Sequence, residues 1–96
     1  MDIALEEAEA AARRGEVPVG AVIVDGGGKI LARSGNRVLE LQDPTAHAEI
    51  LVIREAARVL GSERLAGCCL HVTLEPCPLC ASAISMARIE RLYYGA

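Results

Sequence analysis

Gly67-Cys68-Cys69-Leu70-His71-Val72-Thr73-Leu74-Glu75-Pro76-Cys77-Pro78-Leu79-Cys80 is the stretch on which the fold turns. Its first half, Cys68 to Leu74, reads as a strand, punctuated by Gly67 before it and Pro76 after it. Pro78 then opens a helix to about Ala87, because a proline suits the first helical turn. Arg91 to Tyr94 returns as a strand. A strand–helix–strand step needs a crossover connection, and crossovers favour parallel pairing.

Working back towards the N-terminus, Asp43-Pro44-Thr45 signals a helix start and Gly61 its end, with Ile50, Ile53, Ala57 and Leu60 at helical spacing from about Ala46 to Leu60. Gly35 to Gln42 is polar and reads as a loop. Before it, Val17 to Asp25 is a nearly continuous apolar strand of the kind covered on both faces. Gly26-Gly27-Gly28 makes a hairpin turn into a second, antiparallel strand, Lys29 to Ser34. Asp2 caps a first helix that ends at Gly15. The order helix, strand, strand, helix, strand, helix, strand predicts an α/β fold with a mixed sheet and helices on its faces, one domain spanning residues 1–96.

Ninety-six residues give a small domain with a thin stability margin. With no Phe or Trp and two Tyr, the core must be Ala, Val, Ile and Leu, and 52% apolar content argues against disorder. No apolar run is long enough to cross a bilayer, and the acidic first residues are not a secretory signal, so the expected location is cytoplasmic. A net charge of −3 makes no electrostatic case for gripping phosphates. In a reducing compartment four cysteines hold metal or pack in the core rather than form disulfides.

Cys77 and Cys80 lie three residues apart in a first helical turn, so both sulfurs project to one side. Helix N-terminal amides favour the thiolate that ligates metal. A bare pair at this spacing is as readily two small hydrophobes in the core; the flanking prolines and an upstream histidine weigh against that. His47 is the natural third ligand, since neutral imidazole suits zinc beside two thiolates. A lone histidine at a helix start otherwise serves as a surface or capping residue. Glu49, two residues on, changes the weighing: the two side chains can converge only near the open first turn, where Pro44 puts them. Three protein ligands leave a fourth position for water, as in catalytic zinc sites, whereas a structural site would want four. Cys68, Cys69 and His71 are expected to be core or half-buried packing; a closed structural site is the better account only if they approach His47 and the cysteine pair. Glu49 fits a general base that takes a proton from water. It fits equally a favourable charge in a first helical turn.

His-x-Glu followed by Pro-Cys-x-x-Cys is the signature of zinc-dependent nucleobase deaminases. Together with Glu16-Val17-Pro18-Val19-Gly20-Ala21, Gly35-Asn36-Arg37, Asp43 to Glu49 and Thr73 to Cys80, it closely resembles the bacterial tRNA-specific adenosine deaminase family over nearly the whole chain. The resemblance implies the cytidine-deaminase-like three-layer α/β/α sandwich, one Zn2+ per chain on His47, Cys77 and Cys80, and proton shuttling by Glu49. It implies conversion of adenosine to inosine at the wobble position of a tRNA anticodon loop, or in other single-stranded nucleic acid, by a homodimer. Substrate contacts fall to Asn36, to the backbone around Ala48, to Val17 and the Val19-Gly20-Ala21 segment as pocket walls, and to Pro76. Gly20 has a physical reason there, since a residue without Cβ lets a flat ring approach the strand. Family members continue beyond the position of Ala96 into a further strand and helices, so the C-terminal elements of the fold are missing. Two other functions stay open: deamination of a free base or nucleoside such as guanine or cytosine, and a zinc-stabilised inactive fragment.

Overall fold

The computed structural model describes residues 1–95; Ala96, the last residue of the expected 1–96 domain, lies outside them. The chain forms α1 (Asp2–Arg13), β1 (Gly20–Val24), β2 (Ile30–Gly35), α2 (Val38–Leu41), α3 (Ala48–Leu60), β3 (Cys69–Val72), α4 (Pro78–Met86) and β4 (Arg91–Tyr94). The strands make one sheet in the order β2-β1-β3-β4. β1 runs antiparallel to both β2 and β3, while β3 and β4 are parallel, so the sheet is mixed as expected. The two crossovers differ. α4 joins neighbouring strands, whereas α3 joins β2 and β3 across the intervening β1.

The pleat separates the layers. Ala21 and Ile23 of β1 and Leu70 and Val72 of β3 turn to one face, where they pack with Ala48, Val52 and Ala56 of α3 and Ile84 of α4. On the other face Gly20 of β1 and Gly35 of β2 meet α1. Ala4, Ala8 and Ala11, one helical stripe, are the buried residues of α1. A sheet with α1 on one side and α3 with α4 on the other is the three-layer sandwich. The core holds no aromatic ring: its largest fully buried side chains are Ile23, Leu65, Leu70, Val52 and Val72.

Several boundaries fall elsewhere than the sequence suggests. β1 begins at Gly20 rather than Val17, because Pro18 has no N–H for the ladder and the Val19 N–H closes a tight turn onto the Val17 carbonyl. Gly35 ends β2, and Val38–Leu41 is a short helix inside the expected loop. Neither aspartate caps as expected. Asp2 sits inside the first turn of α1, after Met1, and Asp43 accepts the Thr45 N–H and hydroxyl in a turn ahead of α3. α3 starts at Ala48, with His47 at its N-cap, and ends at Gly61 in a left-handed conformation that relieves the last turn.

Candidate metal centre and cleft

Two helix starts meet at one point. His47 is the extended residue before α3 and Cys77 the extended residue before α4. A helix N-cap in extended conformation swings its side chain clear of the turn that follows, and this lets His47 and Cys80 face each other across the junction. His47 Nδ1 lies 3.4 Å from Cys80 Sγ and 3.6 Å from Cys77 Sγ. All three donor atoms fall within 4.8 Å of one another.

This donor set fits zinc. Tetrahedral bonds of about 2.0–2.1 Å to nitrogen and about 2.3 Å to sulfur place such an N···S pair roughly 3.6 Å apart. One imidazole with two thiols is also the soft, borderline chemistry that selects zinc over calcium or magnesium. Cys80 is fully buried; desolvation chiefly, then the Glu49 charge and the neighbouring Cys77, push its thiol far above the ordinary range. A divalent cation held by the three donors would reverse that balance and favour the thiolate.

The other cysteines and the second histidine stay apart from this group. Cys68 is buried, while Cys69, His71 and Thr73 are half-buried. His71 stacks on Tyr93 of β4 with ring centres 4.8 Å apart. Among the described residues the ligand count is therefore three.

Beside the three donors opens a cleft of about 460 Å³, to which His47, Glu49 and Cys77 all contribute. Glu49, at the start of α3, is 4% exposed, so its carboxylate belongs to the cleft and not to bulk solvent. Asn36 is held from three sides. Its N–H donates to the Val19 carbonyl, its own carbonyl accepts from Arg14, and its Oδ1 accepts the Ala48 N–H at 2.7 Å. That last bond supplies the side-chain cap of α3, the role assigned from sequence to Asp43. No described residue accepts a hydrogen bond from its amide NH2, and Asn36 lines the cleft.

The expected substrate contacts divide. Asn36, Val17 and Val19 line the cleft; Ala48, Gly20, Ala21 and Pro76 do not. Ala48 is fully buried in the core, and its N–H is already bonded to Asn36. Gly20 lacks a side chain for a different reason from the one expected. A Cβ there would collide with the α1 backbone, at the Ala4 carbonyl oxygen and the Ala8 nitrogen. Helix α1, not a flat ring, makes the close approach. Sequence reading missed Glu16, Val38, Leu39, Leu74 and Glu75, which also line the cleft. No lining residue is a lysine or arginine. Leu74 and Glu75 sit beside the Pro76-Cys77 motif and could have been suggested by that adjacency; Val38 and Leu39 carried no signal.

Comparison with known proteins agrees with the geometry. A family model, the cytidine and deoxycytidylate deaminase zinc-binding region, matches residues 1–96. The chain is 64% identical over 96 residues to a tRNA-specific adenosine deaminase of Agrobacterium fabrum, covering 100% of this chain and 62% of that one. It is 50% identical to the tRNA-specific adenosine deaminase of Bacillus subtilis over 96 residues, 100% of this chain and 59% of the relative. The chain thus spans about three fifths of the length of these curated relatives. A solved structure from studies of A-to-I editing by tRNA:A34 deaminases at the wobble position superposes with a TM-score of 0.97 at 64% identity, covering 100% of this chain and 69% of that one. The guanine deaminase of Bacillus subtilis superposes at 0.95 with 43% identity, over 99% and 60% of the two chains.

Proposed function

The chain belongs to the cytidine and deoxycytidylate deaminase family of zinc-binding proteins, and on that premise we propose that residues 1–96 act as one deaminase domain that converts adenosine to inosine in RNA, at the wobble position of a tRNA anticodon. The observation that carries this reading is the convergence of His47, Cys77 and Cys80 within 4.8 Å, with a buried Glu49 in the adjoining cleft. His47, Cys77 and Cys80 hold one zinc ion. When bound, zinc supplies the Lewis acidity that makes water a nucleophile near neutral pH.

The reaction adds the water oxygen to C6 of adenine and expels the exocyclic nitrogen as ammonia. Glu49 accepts the two protons that water loses in turn: the first, lost as the oxygen attacks, passes to the ring nitrogen next to C6, and the second, lost from the hydroxyl then on C6, goes to the departing amine. A carboxylate shut away from bulk water suits that work, since it exchanges protons with the reactants and not with solvent. The Asn36 amide, fixed by its three other bonds, offers a donor to an acceptor on the base. Val17, Leu39 and Leu74 give the base apolar surface. With no lysine or arginine in its lining, the cleft suits an uncharged ring and leaves the phosphates outside, as a base splayed from a loop requires.

The substrate follows from the tRNA-specific adenosine deaminases, to which the chain is 50% and 64% identical in the two relatives above, against 43% for a guanine deaminase. A lining without lysine or arginine also suits a free base, which keeps that second reading in view. The partner is thus a tRNA anticodon loop, met in the cytoplasm. A second copy of the chain is the other partner: an apolar groove of about 530 Å³ between α3 and α4, with Ile50, Ile53, Ala57, Leu79 and Met86 in its walls, supports a homodimer. No helix among the described residues is long and apolar enough to cross a membrane.

The test is product formation by the zinc-loaded chain from an anticodon stem-loop, adenosine, guanine and cytidine in parallel. Inosine from the stem-loop, with little or no turnover of the other three, is the expected pattern. Xanthine from guanine with an inert stem-loop establishes the free-base reading instead. Zinc bound with no turnover of any of the four identifies an inactive domain.

A further inference from the structure

Glu16 is 6% exposed and takes no direct part in the chemistry above. Burying a carboxylate is costly unless its oxygens find donors. Here Oε1 accepts the Leu39 N–H at 3.1 Å and Oε2 the Glu40 N–H at 2.9 Å. These are amides at the start of α2 that the helix itself leaves without acceptors, and α2 is a helix of four residues with no buried side chain of its own. Packing therefore cannot set where α2 sits. Few ties remain: the Glu16 carboxylate, the Arg37 N–H on the Ala46 carbonyl, the Asp43 N–H on the Val38 carbonyl, and an ion pair from Arg14 to Glu40.

Val17 is 63% exposed and Leu39 68% exposed, and both line the cleft. Val17 follows Glu16 in the chain, and the Leu39 amide is bonded to the Glu16 carboxylate. One buried side chain thus sits at the root of both apolar walls. We propose that Glu16 is a positioning residue of the substrate cleft, whose carboxylate fixes the separation of Val17 and Leu39 so that a planar base fits between them. The proposal rests on the deaminase reading for its ligand. Its geometric half stands apart from that reading.

Two variants grade the tie. Glu16→Gln keeps the size and one acceptor, and Glu16→Ala removes both acceptors. In each, amide hydrogen exchange at Leu39 and Glu40 is followed together with steady-state kinetics of the zinc-loaded chain on an anticodon stem-loop. In Glu16→Ala both amides exchange on the order of tenfold faster, while the Leu51 amide, bonded to the His47 carbonyl, keeps its rate. KM rises on the order of tenfold with kcat within about twofold, the signature of lost binding rather than lost chemistry. Glu16→Gln falls between Glu16→Ala and the parent on both readouts. Leu39→Ala raises KM while the Glu40 amide stays protected. If Glu16→Ala does not fold, Glu16→Gln and Leu39→Ala still decide.

Unchanged exchange at Leu39 and Glu40 overturns the proposal. So does a fall in kcat at constant KM, which would give the carboxylate a chemical role. If the parent chain turns over nothing, the deaminase reading fails by itself, and the exchange rates still decide whether Glu16 holds α2.

Discussion

Replacing Gly20 with alanine puts a methyl group where helix α1 already lies. An added Cβ would sit 3.0 Å from the Glu7 carbonyl carbon and closer still to the Ala4 oxygen and Ala8 nitrogen. Carbon atoms pack at about 3.5–4.0 Å, so α1 must retreat by roughly an ångström over its middle turns. These neighbours are backbone and cannot rotate aside. The retreat loosens Ala4, Ala8 and Ala11, the contacts that seat the helix. Overpacking of this kind destabilises by about 1–3 kcal/mol, and a backbone collision belongs at the upper end. A domain of this size is stable by roughly 5–10 kcal/mol, and each kcal/mol moves Tm by about 4–8 °C. Gly20→Ala is therefore expected to lower Tm by on the order of 10–20 °C, measured by circular dichroism of the zinc-loaded chain. Gly27→Ala is the control, since its added Cβ meets nothing nearer than the Asp25 carboxylate at 3.5 Å and its Tm should hold. Gly35→Ala, with the Glu7 oxygen at 2.6 Å and the Ala11 Cβ at 2.8 Å, should also destabilise. The reasoning is refuted if Gly20→Ala keeps its Tm and loses turnover, because Gly20 would then be serving the substrate.

Asn36 carries two jobs that substitution separates. Asn36→Asp keeps the acceptor for the Ala48 N–H and should hold Tm while raising KM for the stem-loop, whereas Asn36→Ala should also lose about 1 kcal/mol of stability with the cap of α3; equal KM values for Asn36→Asp and the parent would remove the substrate role. Cys80→Ser should cut zinc retention against a chelator by at least an order of magnitude, and an unchanged zinc content after dialysis would remove Cys80 from the ligand set. The Thr45 hydroxyl chiefly, with the Thr45 N–H, holds the Asp43 carboxyl below its ordinary value. A depressed folded pKa contributes stability above the unfolded value, about 3.9, that is lost as pH falls through the folded one. Thr45→Val should raise the Asp43 pKa, seen by carboxyl NMR titration, and move that loss to higher pH; an unmoved Asp43 would mean that the hydroxyl does not set it.

The order of the elements along the chain and both site helices were legible because their signals are local. Pro78 and Gly61 mark a helix start and stop by their own backbone chemistry, and Cys77 and Cys80 share a face through spacing alone. His47 and Glu49 could be joined because Pro44 puts them at a helix opening. What escaped the sequence was carried by long-range partners. α2 looks like loop since the carboxylate that satisfies its first amides belongs to Glu16, 23 and 24 residues earlier. Asp43 carries the expected capping chemistry, yet Asn36, 12 residues before Ala48, makes the bond. Gly20 was read as room for a ligand because a sequence does not reveal which neighbour needs the space. A missing side chain reports a close approach without naming what approaches.

The most direct test of the account pairs zinc content with inosine formation in the parent chain and in Glu49→Gln, both measured on the same samples with an anticodon stem-loop. Glutamine preserves the shape of the side chain and removes its capacity to accept a proton. The account predicts about one zinc per chain in both proteins, and inosine formation reduced by about 10²–10⁴ or more in the variant. Undiminished turnover in Glu49→Gln, or a parent chain that forms inosine without zinc, would contradict it.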